Sequence, residues 1–309
     1  MVQVRRATII YPKYLLFGIS AVILKLGIYF LQLQNMTESP NTVIIKNGNS
    51  SATVHLFGAT LTSWISQGKE VLFVSKKSLF DNKKAIRGGV PVVFPQFGPW
   101  ANGPQHGFAR IFRWSLKDEH KTDAMSVTLV LEDTEATRSY WDFKFRFEYT
   151  LSLLSETQLK MDAVITNTGD SSFSFTFLLH TYFSVPDVTL CRVTGLKDCT
   201  YIDKVRNGKE FIDDREEVTV SEFTDRIYKN TSAVHKIKNL SGDREGSVEK
   251  FNLPDTVIWN PWIENAKSMT DFGDDEWKTM ICVEAGYVSS PVTLQSSKSF
   301  VASQILSVH

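Results

Sequence analysis

From Met36 onward, hydrophobic and polar positions alternate in short runs, the period of a half-buried β-strand rather than of a helix. The clearest run sets Phe143, Phe145, Phe147 and Tyr149 against Lys144, Arg146 and Glu148. Residues 43–46 lead into Asn47-Gly48, a hairpin signal, and a second strand is predicted through Val54 and Leu56. Further strands are predicted at 71–74, 126–131, 159–164, 173–177, 188–193 and 293–294. Beyond Met36 there is no three-turn amphipathic helix, no repeat and no low-complexity linker. The expected fold class is all-β: one large antiparallel β-sandwich domain over residues 36–309.

Strand parity separates two polar residues from the apolar rows. In a strand through 172–180, Phe173, Phe175 and Phe177 share one face, while Ser174, Thr176 and His180 share the other. In 279–285, Ile281 and Val283 take one face, and Cys282 and Glu284 the other. A glutamate ending an apolar run needs a partner if it is buried. Taken singly, a strand histidine and a strand-end glutamate are ordinary structural residues.

The first 35 residues have a different character. No acidic residue precedes Glu38, and Arg5, Arg6 and Lys13 stand before an apolar run over 14–33, with Lys25 near its middle. That run has the ~20 residues a membrane span needs, although a mid-span lysine opposes insertion. Signal anchor, uncleaved signal peptide, mitochondrial presequence and a start at Met36 all fit it. Any membrane contact is expected through 14–33 only. The domain itself is expected to be cytoplasmic, or anchored or organellar if the leader is a targeting segment.

The chain has 309 residues, with 34 basic and 34 acidic side chains and a formal net charge of zero. Without a basic excess, nucleic acid is not an expected partner. Cys191, Cys199 and Cys282 form no CxxC pair and no disulfide framework, which favours a reducing compartment. Nucleotide-binding loops and a hydrolase nucleophile elbow are missing from the sequence. The six histidines never fall at zinc-ligand spacing, so no metal is expected. Asn-X-Ser/Thr tripeptides at Asn35, Asn49, Asn230 and Asn239 matter only in a translocated chain.

The densest chemical signal is 86–110. Ile86-Arg87-Gly88-Gly89-Val90-Pro91 and Phe94-Pro95-Gln96-Phe97-Gly98 are followed by Gln105-His106-Gly107-Phe108-Ala109-Arg110. Glycines permit close backbone approach and prolines stiffen the turns. Two arginines, a glutamine and a histidine set in that frame suggest a binding wall.

Together with Leu179-His180-Thr181-Tyr182-Phe183, Trp259-Asn260-Pro261-Trp262 and Val283-Glu284-Ala285-Gly286, these segments resemble the glucose-6-phosphate 1-epimerases. These are hexose-6-phosphate mutarotases of the aldose 1-epimerase superfamily. The resemblance covers nearly everything after Met36. It implies a galactose mutarotase-type β-sandwich that binds a small-molecule sugar phosphate on a concave sheet, works without a cofactor, and is a monomer. It also implies His180 and Glu284 as the catalytic pair, with Arg87, Gln105 and Arg110 contacting substrate. The segment from Glu222 to Tyr228 makes Asp225 the sugar-binding aspartate.

Anomer exchange requires opening a hemiacetal, with a base at the C1 hydroxyl and an acid at the ring oxygen, work suited to a carboxylate and an imidazole. Glu284 is expected as base and His180 as acid, with a neighbouring carboxylate raising the histidine pKa toward neutrality. Arg87 and Arg110 are expected to hold the 6-phosphate at the end of the pocket away from the pair. A non-catalytic sugar-phosphate binder and an aldose–ketose isomerase are the alternative functions.

Overall fold

In the computed structural model the described residues form two eight-stranded sheets and one four-stranded sheet, and every paired strand among them runs antiparallel to its neighbour. The structure describes residues 41–309 apart from 120, 122 and 241–243. The N-terminal 35-residue extension, its apolar run at 14–33 and the Met36 start lie outside the described residues. Among the described residues, no helix is long and apolar enough to cross a membrane.

The first large sheet has the order Lys209–Ile212, Thr200–Asp203, Thr224–Tyr228, Asp255–Asn260, Met280–Leu294, Phe173–Leu179, Val92–Val93, and Tyr182–Ser184 also pairs with Met280–Leu294. The second is built on Phe145–Ser155, Gln158–Asn167 and Ser299–Val308, whose burial alternates residue by residue along most of their length. That alternation is the period-two pattern of the sequence made physical: one face of the strand is packed and the other wet. Aromatic side chains fill the space between. Phe94 meets Phe145, Phe147 and Phe175 edge-on, with centroids 5.3–5.4 Å apart. All four are buried, and burying each such side chain stabilises by about 1.5–3 kcal/mol.

Local differences from the expected elements have local causes. The first hairpin turns on Gly48 and Asn49, because Asn47 is still paired with Ser50. Residues 71–74 make only single bridges, Leu72 to Phe183 and Val74 to Gly88, because the segment opposite changes from a short strand to a glycine turn. Residues 188–193 form a short 3-10 turn, Val188–Leu190, and a two-residue strand. Among the described residues the α-helices are Glu135–Tyr140 and Trp262–Ser268, both under three turns long.

Candidate active site

Parity decides which side chains leave the core for the exposed face of the first sheet. Phe173, Phe175 and Phe177 point into the aromatic core. Leu178, on the opposite parity, joins Val93, Ile227 and Val257 in a small separate apolar floor. Val257 stands opposite Glu284, and Trp259 stands opposite both Cys282 and Asp225. Two adjacent rows of side chains thus run across the sheet, Ile227–Val257–Glu284 and Asp225–Trp259–Cys282. His180 lies one residue past its strand, with its N–H donated to the Pro91 carbonyl at 3.0 Å.

Over this floor lies a cavity of about 290 Å³, lined by all six residues singled out from the sequence: Arg87, Gln105, Arg110, His180, Asp225 and Glu284. His180 Nδ1 and Glu284 Oε1 are 3.4 Å apart, an ion-pair distance without hydrogen-bond alignment. The imidazole stacks on the Tyr182 ring at 4.7 Å and meets Trp259 edge-on at 6.0 Å. Asn260, fully buried, donates to the carbonyls of Trp277 and Met280 and accepts from Trp262 N–H, which holds the turn after Trp259.

The glycine-rich segment carries its arginines as far as it does because backbone packs against backbone. Gly89 has a φ of 66°, and a Cβ there would lie 2.0 Å from the Leu61 carbonyl oxygen. Gly107, at 71°, would place its Cβ 2.2 Å from the Phe94 oxygen. Only glycine fits either position. Arg87 donates to the Tyr182 hydroxyl at 3.4 Å and to Asp271 at 3.2 Å, and Arg110 donates to the Gln105 carbonyl at 2.7 Å. Gln105 stands at the exposed rim.

Two expectations change here. Arg87 is one aromatic ring away from His180, through Tyr182, so the arginines flank the pair rather than occupying a distant end. The histidine pKa is also shifted down, not up: burial, then Arg110 and Arg87, hold it well below its usual range. Glu284 does not counter this, because burial and the Asp225 carboxylate push its own pKa well above normal. Both shifts favour the neutral forms, the imidazole without its second proton and the carboxyl with its proton. Burial and Arg87 lower Arg110 to about 10, whereas Tyr182 and Asp271 overcome burial to raise Arg87.

Two residues at the site, Lys204 and Cys282, received no role from the sequence, and a third, His106, only a place in the binding wall. His106 takes a left-handed φ of 65°, accepts from Gly98 N–H at 3.1 Å, and meets His180 edge-on at 5.7 Å. Its place on the glycine-rich wall was the available signal. Lys204, 3.2 Å from Asp225, gave none. Cys282 brings its Sγ within 4.8 Å of the His180 and Glu284 ligand atoms, a grouping hidden from sequence spacing. This N/O/S set is of the kind that could hold Zn²⁺, but three cationic side chains, Arg87, Arg110 and Lys204, line the same cavity and oppose a divalent cation there. The arrangement suits proton transfer.

The model of the aldose 1-epimerase family matches residues 41–307. The chain belongs to the aldose 1-epimerase family. It is accordingly an isomerase. A relative from Cenchrus ciliaris, named "Putative glucose-6-phosphate 1-epimerase", is 36% identical over 278 residues, which is 86% of this chain and 84% of the relative. A protein of the same name from Escherichia coli K12 is 35% identical over 260 residues, covering 83% and 86%. Among solved structures, a mutarotase of Salmonella typhimurium, titled "putative", superposes with a TM-score of 0.79 at 33% identity, covering 86% of this chain and 90% of its own. A galactose mutarotase-related enzyme of Lactobacillus acidophilus shares the fold, with a TM-score of 0.72 at 18% identity over 87% and 97%.

The buried Glu284 carboxyl also predicts a stability signature. Below pH 4.5 the stability contributed by its retained proton is fully present, and it is lost as pH rises toward the raised folded value. His180 acts oppositely, contributing above pH 6.5 and losing that contribution as pH falls through its depressed folded value. Above pH 6.5 only the glutamate slope remains. Glu284→Gln should therefore melt higher than wild type at pH 7.5, with a gap that widens toward pH 8.5. While Glu284 stays protonated, the relative folding equilibrium changes about tenfold per pH unit. A gap that stays constant across this range in thermal melts contradicts a protonated Glu284.

Proposed function

We propose that this chain interconverts the α and β anomers of hexose 6-phosphates, glucose 6-phosphate foremost, with His180 and Glu284 as proton carriers. The observation that supports this reading most is the close His180–Glu284 pair, buried at the floor of a cavity whose wall also carries two guanidinium groups. Arg87 Nε, Arg110 Nε, His180 Nδ1 and both Glu284 oxygens are buried without a hydrogen-bond partner. Buried polar atoms are rarely left unpaired, and a polyhydroxyl anion offers partners to every one of them.

The charges supply the order of events. Arg87 is balanced by Asp271, and Lys204 by Asp225, whereas Arg110 has no carboxylate partner among the described residues. A phosphate dianion beside the arginines offsets their part in disfavouring an imidazolium at His180, which adds to the larger effect of burial. The proton then passes from Glu284 to His180, leaving a carboxylate base and an imidazolium acid. Glu284 takes the proton of the C1 hydroxyl as C1=O1 forms, the C1–O5 bond breaks, and His180 protonates O5. Rotation about C1–C2 presents the other carbonyl face. Reclosure runs the same transfers in reverse.

Saturation-transfer NMR on the anomeric protons of glucose 6-phosphate tests this. Exchange above the spontaneous rate without ketose formation is expected. Binding without exchange indicates a sugar-phosphate binder, and appearance of ketose indicates an aldose–ketose isomerase. Either outcome overturns the proposal.

A further inference from the structure

Lys204 begins a 3-10 turn, Lys204–Arg206, directly after the strand Thr200–Asp203. Asp203 fixes that turn: it is fully buried, accepts from Arg206 N–H at 3.1 Å, and is ion-paired to both Arg206 and Arg226. From this anchored start the lysine stem crosses the Phe97 ring, with Nζ 5.3 Å from its centroid, and ends 3.2 Å from Asp225 Oδ2. Both side chains are mostly sheltered, 31% and 18% exposed, and both line the cavity. An ordinary surface ion pair has no reason to lie across an aromatic ring inside a pocket.

The cavity has two electrostatic ends. Arg110 and Arg87 act on His180 more strongly than Lys204 does, and Arg87 touches the Tyr182 hydroxyl whose ring stacks on the imidazole. Lys204 and Asp225 act on Glu284, which stands one strand over from Trp259, the residue paired with Asp225. A hexose 6-phosphate has the same polarity. The ring oxygen is bonded to C5, which carries the phosphorylated C6, while the anomeric hydroxyl neighbours C2. Placing O5 at His180 and O1 at Glu284 directs the phosphate to the arginines and the C2 hydroxyl to Lys204 and Asp225.

We propose that Lys204 and Asp225 together read the C2 hydroxyl, making Lys204 a specificity-determining residue for sugars with that hydroxyl equatorial. This rests on the proposed anomerase function and adds to it the part of the sugar that is recognised. A hydroxyl has one proton to give and lone pairs to accept. Inserted between the ion pair, it donates to Asp225 and accepts from the ammonium, so both charged groups keep a charge-assisted hydrogen bond. A C2-deoxy sugar leaves the ammonium and carboxylate without that bridge, and an axial C2 hydroxyl points away from it. Sites built to bond a substrate hydroxyl reject analogues that lack it far more strongly than apolar pockets reject a missing methylene.

The test is background-corrected anomer exchange on glucose 6-phosphate, 2-deoxyglucose 6-phosphate, mannose 6-phosphate and free glucose. Wild type is expected to favour glucose 6-phosphate over the 2-deoxy and manno sugars by at least about tenfold in kcat/KM, a modest share of what hydroxyl-reading sites achieve. Lys204→Met should bring that ratio close to one, mainly through KM, while keeping the preference for glucose 6-phosphate over glucose. Lys204→Arg should retain part of the C2 discrimination. A purely structural lysine would instead weaken all four sugars alike. Unchanged C2 discrimination in Lys204→Met overturns the inference, and so does loss of the phosphate preference, which would make Lys204 a phosphate ligand. Wild type that exchanges no anomers at all overturns the proposed function itself, a result distinct from both.

Discussion

His180→Asn and Glu284→Gln should each give a folded protein that binds glucose 6-phosphate yet exchanges its anomers at least ~10²-fold more slowly than wild type, and up to ~10⁴-fold. The two side chains are 3.4 Å apart, so either substitution breaks a shared relay. Neither removal opens the aromatic core, because both residues sit on the sheet face away from it. Glu284 carries no hydrogen bond whose loss would strand a partner. The glutamine variant should therefore melt no lower than wild type. Measuring exchange, ligand affinity and melting on the same preparations separates chemistry from folding. Wild-type exchange in either variant removes that residue from the relay.

The second large effect concerns the phosphate. Wild type should prefer glucose 6-phosphate to glucose by well over tenfold in kcat/KM, more than ~1.4 kcal/mol in transition-state energy. Arg87→Met with Arg110→Met should erase most of that preference without lowering turnover of free glucose. Methionine preserves the buried stems while removing the guanidinium forks that match phosphate oxygens. Because those forks also depress the His180 pKa, the double variant should move the acid limb of its pH–rate profile upward. Equal efficiency of wild type on both sugars defeats the phosphate assignment and leaves the anomer chemistry standing. Remote binding of this kind contributes to rate by fixing C1 against the acid and base.

The sequence by itself determined the fold class and the facing of the decisive side chains. Period-two alternation in 143–149 and 173–177 placed the phenylalanines in one layer, and the same parity set His180 and Glu284 apart from them, whereas Cys282 joins the core. The glycines beside Arg87 and Arg110 marked a wall where backbone meets backbone. These features are local, fixed by pleat geometry and by the volume of a missing Cβ. The place of Lys204 and the directions of the pKa shifts were decided by the tertiary structure. Lys204 reaches the site because the buried Asp203 anchors its turn, and Asp225 reaches it from a neighbouring strand. The pKa directions follow from burial and from charges that lie 24 (Lys204 to His180) to 93 (Arg87 to His180) positions away in the chain yet line one cavity. Coulomb energy depends on distance through space and on access to water, and neither quantity is written in the order of residues.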